Sequence, residues 1–461
     1  MTAEPPLCFL EQLNYHHVLQ CTLSQLTSSR ILRQFWLTYV PLLGEYVPAI
    51  RHALTALGAA HRLFLCRDEL HLRPSLLHES NLFLLRQYNL AILHIQPIMS
   101  NATGVDIQVV LACCLIFVCI EYLRGSYFLA VQHLQAGSRI LFSVSRANKQ
   151  PRLASALLQD KDAFTSLKDD SKGNEMDAIV DIFSRLGSDL STGLDKVVVS
   201  HLDLFGLSAP ARMNSDYVAF PSLTVAEEEL RSFEIAFEAF YEHITLKKTT
   251  ESHIDEIDKS LYLILCQRFE KWSCKLDLYE KDRQPSRADD AQERYDFLKF
   301  RLLQKTWAVT LKDESRNVAV EDKVEHEDLS AIITRVEELL QAVPPAPHPA
   351  FALDSVHLPS LAYAGWLAED LEILKRVVEL FRSIDIREGG WDSRELAEIF
   401  EAFLVAKQQH SQLINPNMTT GAVSMLRYLV DLNLPCLRAS NPTVTFAKRY
   451  LQQLGASTEM Y

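Results

Sequence analysis

Residues Val109 to Gly125 read VVLACCLIFVCIEYLRG, twelve apolar residues in a row before the first charge at Glu121. A transmembrane helix needs about 20 mostly apolar residues. The run to Ile120 is shorter, and Glu121 and Arg124 close it. Apolar on every side, it is expected to be a helix surrounded by other helices. Gly125 can take the left-handed conformation that ends such a helix. The opening MTAEPPLCFL has no basic region ahead of an apolar stretch, so no secretory signal is expected there. A soluble, intracellular protein with no membrane span is the expectation.

The same stretch carries Cys113, Cys114 and Cys119, which raises a metal or redox alternative. The remaining cysteines are Cys8, Cys21, Cys66, Cys266, Cys274 and Cys436. The nine are odd in number and scattered, and no Cys-x2-Cys pair occurs. A structural zinc site needs thiolates at short spacing so that one turn presents two ligands. Reduced cysteines acting as small buried hydrophobes are therefore expected, with no metal ligand and no cofactor.

Around this helix the chain keeps a helical period. PAIRHALTALGAAHRLFL, residues 48–65, sets Ile50, Ala53, Leu54, Leu57, Ala60, His61 and Phe64 on one face, with Pro48 in the first turn. Helices are also expected in ILRQFWLTYVPLL up to Pro41, in SLLHESNLFLLRQYNLAILHI ending near Pro97, and in SYFLAVQHLQAGSRILFSV. MDAIVDIFSRLGSDL resumes the pattern after the polar stretch 148–174. TVAEEELRSFEIAFEAFYEHI opens with Thr224 and Glu227 at capping-box spacing. Further helices are expected at 260–279, 293–311, 328–342, 359–384, 391–409, 420–432 and 443–454. PPAPHP, residues 344–349, is the clearest punctuation. Val197–Val199 is the one strand-like hint. The expected fold is all-α, an irregular multi-helix bundle or superhelical body of about fifteen helices with no significant sheet.

The formal net charge is −13, and the longest basic run is Lys247-Lys248. A duplex-binding surface needs clustered cations, so direct DNA binding by these residues is not expected. No GxGxxG, P-loop, HExxH or GxSxG occurs. His16 and His17 are adjacent and point to different faces. His94 and His133 sit on apolar helices as core or boundary residues. Glu227, Glu228 and Glu229 read as the acidic first turn of a helix. Trp36, Trp272, Trp307, Trp366 and Trp391 read as packing residues. No catalytic, cofactor-binding or metal residue is assigned, and the expectation is a protein that is not an enzyme.

Five segments, in order, carry a resemblance. They are Phe35-Trp36; PAIRHALTALGAAH, residues 48–61; QYNLAILHI, residues 87–95; CIEYLRGSYFLAVQHLQAGSRIL, residues 119–141; and REGGWDS, residues 387–393. Together they resemble the regulatory domain of fungal six-cysteine binuclear-zinc transcription factors. The resemblance implies an all-helical regulatory body over 30–410, with a lead-in at 1–29. Lobes would fall at 30–147 and 175–410 around the polar linker 148–174. C-terminal helices at 411–461 would pack on the same body. It makes REGGWDS a helix boundary, with Gly389 and Gly390 breaking one helix, Asp392 and Glu395 capping the next, and Trp391 packed between.

The family's zinc module repeats Cys-x2-Cys-x6-Cys. Only Cys8 and Cys21 precede Cys66, so that module is missing from these residues and no ligand carries over. The resemblance therefore implies a nuclear transcriptional regulator acting through protein partners, by self-association or by docking on related factors, and open to a small-molecule effector. It also suggests an association with pathway genes, including secondary-metabolite clusters. The alternatives are a small-molecule-binding or enzymatic all-α protein, with aromatics such as Phe117, Trp366 and Trp391 lining a pocket between helices, and a helical scaffold unrelated to transcription.

Overall fold

The computed structural model describes residues 8–26, 29–70, 73–100, 104–156, 172–194, 218–249, 253–282, 291–318, 322–342, 349–354 and 356–409, with residue 320 and short pieces between 429 and 449. Among the described residues it is an all-α body of sixteen helices with one small sheet. The first nine helices are α1 (Phe9–His17), α2 (Arg30–Gln34), α3 (Val40–Tyr46), α4 (Pro48–Leu65), α5 (Arg67–Leu70), α6 (Pro74–Ser100), α7 (Gly104–Leu123), α8 (Tyr127–Ala156) and α9 (Lys172–Leu194). Then come α10 (Leu223–Thr249), α11 (Glu256–Asp282), α12 (Ala291–Glu314), α13 (His326–Ala342), α14 (His357–Leu367), α15 (Leu371–Ser383) and α16 (Ser393–Gln409). Wider π-helical turns cover Val18–Thr22 and Phe35–Tyr39. The expected strand hint at 197–199 and the helix at 420–432, Leu429 apart, lie outside the described residues, as does PPAPHP up to residue 348.

The cysteine-bearing helix is an interior element. α7 packs against α4, α6, α8 and α9. From Val109 to Leu123 every side chain is buried except the half-buried Cys114. The 18-residue window Asp106–Leu123 is long and apolar enough to cross a membrane, but 78% of it is buried inside the protein. Neighbouring helices occupy the faces that lipid would otherwise cover. Gly125, at φ 68°, ends the helix as expected. Ser126 N donates to Glu121 O at 2.8 Å and Gly125 N to Tyr122 O at 2.9 Å, the paired bonds of a Schellman closure.

α4 forms from Pro48 to Leu65, and its seven expected face residues are all buried. Its back is set against α1 so closely that a Cβ at Gly58 would lie 2.1 Å from the Asn14 carbonyl oxygen. α6 runs past Pro97 to Ser100. Pro97 is exposed and in the last turn, so the helix bond it removes leaves a carbonyl that water can satisfy. The expected cap of α10 is displaced. Thr224 lies inside the helix, and Ser222 accepts from Val225 N at 3.4 Å instead. The single helix expected over 359–384 is two, α14 and α15, because Asp370 caps a new start by accepting from Glu372 N.

Packing divides the chain differently from the polar stretch at 148–174. Helix α8 continues to Ala156, and α9 buries Ile179, Val180, Ile182, Phe183 and Leu186 in the same core as α4 and α7. A second core gathers α13 to α16 with Leu302 and Val309 of α12. A third joins α10 and α11 to Phe297, Phe300 and Leu311 of α12. Helix α12 thus serves two cores from two faces.

The sheet is the part that helical periodicity did not anticipate. Strand β1 (Ala350–Ala352) pairs in parallel with β2 (Ile386–Glu388), and β2 pairs antiparallel with β3 (Trp391–Asp392). REGGWDS is therefore a tight hairpin that leads into α16. Gly389 turns it at φ 53° and donates its N–H to Ala352 O at 2.8 Å.

Candidate functional site

Among the described residues a dense constellation of charged groups forms on this hairpin. Arg387 sits on the central strand and is 6% exposed. Its Nε donates to Asp392 Oδ2 at 2.9 Å, and its Nη2 donates to Glu395 Oε1 at 2.9 Å. Its Nη1 donates to the carbonyls of Tyr122 at 2.8 Å and Leu123 at 3.0 Å, the last turn of α7. A helix ends with unsatisfied carbonyls and a partial negative charge, so a guanidinium fits there on both counts. Phe64 and Tyr127 present ring faces to the same guanidinium at 5.2 and 5.9 Å.

Two more arginines extend the cluster. Arg67 of α5 donates to Asp392 Oδ2 at 2.9 Å and pairs with Asp385. Arg394 of α16 makes a forked pair with Asp68 at 2.6 and 2.8 Å and a second contact with Asp385 Oδ2 at 2.6 Å. Asp392 also accepts from Arg394 N at 3.0 Å and Glu395 N at 3.2 Å, so it caps α16 as expected. Glu395 does not complete a capping box. Its carboxylate instead accepts from Tyr127 Oη at 2.9 Å, Thr443 N at 3.2 Å and Thr443 Oγ1 at 2.6 Å. One residue after Arg387 on the hairpin, Glu388 accepts from Val356 N at 3.0 Å and Leu358 N at 2.9 Å and pairs with His357, which holds the start of α14.

Three cations, Arg67, Arg387 and Arg394, thus face four carboxylates, Asp68, Asp385, Asp392 and Glu395. Burial pushes Glu395 up to about 7, with Arg387 pulling against it and Asp392 adding repulsion. Burial also acts to raise Asp392, but Arg387 and Arg67 outweigh it and hold that carboxyl below its ordinary value. Of two like charges sharing one guanidinium, the better-paired one stays ionised. The cluster joins α5, the end of α7, the start of α8, the sheet and α16. Residues 441–446 close over it, placing Val444 in the second core and Phe446 in the first. Its charges are spent on one another, which makes it a joint between cores.

The other residues singled out in the sequence are dispersed. Burial raises the thiols of Cys113 and Cys119, and raises Cys114 to about 12, so all three stay protonated. Among the described residues no group of three His, Cys, Asp or Glu side chains is placed to hold a metal ion. His16 is exposed, whereas His17 meets His61 at 3.2 Å. Burial and His17 push His61 down to about 4, so it is neutral at neutral pH. His133 accepts from or donates to Tyr88 at 2.7 Å, and His94 stacks on His52. Because α10 starts at Leu223, Glu227, Glu228 and Glu229 lie beyond its first turn, contrary to expectation, and Glu229 instead pairs with Lys275 of α11 at 2.6 Å.

Phe117 stacks on Tyr88 in the first core, whereas Trp366 and Trp391 meet at 5.8 Å in the second, so the three aromatics line no common pocket. An open polar depression beside α13, lined by residues including Lys305, His326, Ser330 and Arg335, contains none of them.

Sequence reasoning missed Arg67, Asp68, Tyr127, Asp385, Arg387, Arg394 and Thr443. The run RE…DSRE at 387–395 was the one visible signal, since charges so close to apolar Ile384 and Ile386 need partners when the segment is buried. Comparison with protein-family models, curated proteins and solved structures finds no match. Fold and cluster together define an all-α protein whose cores are held by a buried ion-pair joint.

Proposed function

We propose that the chain is a nuclear, non-catalytic transcriptional regulator of the type of fungal zinc-cluster factors. In this reading it reaches promoters through protein partners, because no Cys-x2-Cys-x6-Cys occurs within these 461 residues. The observation that carries the reading is the ordered set of five segments resembling that family's regulatory domain. Their placement adds support. PAIRHALTALGAAH, QYNLAILHI and CIEYLRG…SRIL lie in α4, α6, α7 and α8, which pack on one another. REGGWDS, more than 250 residues downstream of α7, supplies the guanidinium that caps it. A signature carried by the joints of a fold, and not by a catalytic pocket, suits a regulatory body. Genes of one pathway, such as a secondary-metabolite cluster, are the expected targets, and a small-molecule effector is compatible with the role.

Chromatin immunoprecipitation of the tagged full chain tests this, with imaging of its location. Enrichment at a defined set of promoters, lost when a partner factor is deleted, is the expected result. Uniform cytosolic distribution with no promoter enrichment overturns it.

A further inference from the structure

Residues 441–446 lie across the ion-pair joint as a strap. Within it Val444 is buried in the second core and Phe446 in the first, where Phe446 packs edge-on to Tyr127 with ring centroids 6.2 Å apart. The rest of its hold is polar. Asn441 Nδ2 donates to Glu395 O at 3.2 Å and to Glu398 Oε2 at 3.0 Å. Arg438, just before the strap, pairs with Glu398. Thr443 donates both its N–H and its hydroxyl to Glu395 Oε2, at 3.2 and 2.6 Å. A segment held by two apolar side chains and a few hydrogen bonds opens more readily than the cores beneath it.

Glu395 is shared between strap and body. From the body, Arg387 of β2 and Tyr127 of α8 donate to it. Asp392 of β3 faces it as a like charge, and Arg438 is a cation on the strap side. Carboxylates keep both arginines charged, and burial keeps the Tyr127 phenol protonated. Arg387 and Arg67 keep Asp392 ionised. Glu395 alone in this set changes charge near neutral pH. Lifting the strap takes away the Thr443 donors and admits water, while Arg387 and Tyr127 stay. Losing the donors disfavours the negative charge, but losing the burial favours it, and burial is the larger influence. An uncovered Glu395 therefore returns toward its ordinary 4.5, so the closed form binds the proton more tightly than the open one.

We propose that this strap is a pH-gated closure, shut while Glu395 holds a proton and opening more readily once the proton leaves, which uncovers the seats of Val444 and Phe446 in two cores. The inference does not rest on the transcriptional reading. With the carboxyl titrating near 7 when covered and near 4.5 when open, the ratio of closed to open falls about tenfold from pH 6 to pH 8.

Hydrogen exchange of the full chain, read by mass spectrometry at pH 6 and pH 8 and corrected for the intrinsic rate of free amides, tests this. Residues 441–446 should be at least about tenfold less protected than 109–123 at both values, which marks a local opening. Their protection should fall about tenfold from pH 6 to pH 8. Glu395→Gln, a neutral side chain of the same shape, should abolish that fall; the readout is the slope with pH, so a lower overall stability does not obscure it. Thr443→Val, which leaves the titrating carboxyl in place, should lower protection of the strap by at least about fivefold and leave that of 109–123 unchanged. A strap as well protected as 109–123 overturns the proposal. So does protection that is equal at the two pH values or greater at pH 8, a fall that persists in Glu395→Gln, or a strap indifferent to Thr443→Val.

Discussion

Replacing Arg387 by Met removes the charge while keeping most of the side-chain volume, so the change reads electrostatics and capping more than packing. Four interactions are lost at once: Asp392, Glu395 and the carbonyls of Tyr122 and Leu123. Asp392 keeps Arg67 at 2.9 Å, so Glu395 becomes the carboxylate without a cation. Each orphaned carbonyl costs about 1 kcal/mol. Breaking a buried ion pair from one side costs about 3–5 kcal/mol, which is the expected total here because Glu395 can escape part of the penalty by taking up a proton. That is a large share of the ~5–15 kcal/mol that holds a typical protein together. Urea unfolding followed by far-UV circular dichroism and by tryptophan fluorescence measures the loss. The escape by protonation makes the loss smaller at pH 6 than at pH 8. Pairing the change with Asp392→Asn should show coupling above about 1 kcal/mol. A loss under about 1 kcal/mol, or additive effects of the two substitutions, would refute the claim that this joint binds the cores together.

Other outcomes follow from the same geometry. Gly58→Ala sets a methyl against the Asn14 carbonyl, so it should cost about 1–3 kcal/mol, seen as a lower melting temperature. Leu111→Ala in the buried helix should cost about 2–5 kcal/mol in the same assay. In the native protein a thiol reagent should label exposed Cys8 and Cys66 quickly, and Cys113 and Cys119 only on unfolding; native labelling of either buried thiol would contradict the packing. Glu395 binds its proton more tightly in the fold than at its ordinary 4.5, so its contribution to stability is greatest at low pH and falls as pH rises through about 7. Asp392 contributes the reverse, present above 3.8 and lost on acidification below it. Glu395→Gln should flatten the dependence near pH 7 and leave the acid limb in place.

The elements that declared themselves in the sequence are those with one dominant environment. α4 repeats its apolar residues at one helical period and is buried all round from Ala53 to His61, and α7 has no polar residue from Val109 to Ile120, so each pattern has one reading. Boundaries were less legible because short polar residues compete for the same role. Ser222 and Thr224 both suit a cap, and the backbone took the first. Ala368 and Glu369 look helical, yet Asp370 starts a new helix beside them. The sheet was hidden by brevity, since a two- or three-residue strand has no period to detect. Arg387 was the hardest to read. Its partners on α7 are more than 260 positions away, and nothing local distinguishes a solvated arginine from one that ends a distant helix. Asp392 was legible as a cap because that job is local; Glu395 was not, because Tyr127 and Thr443 reach it from other parts of the chain.

Native-state hydrogen exchange resolved over residues 109–123 puts the whole architecture at risk in one experiment. With other helices packed around it, this segment should exchange through global unfolding and be the slowest in the chain. Amides there that exchange as fast as those of the exposed face of α6 would mean that the cysteine-rich helix is not the interior axis of the protein.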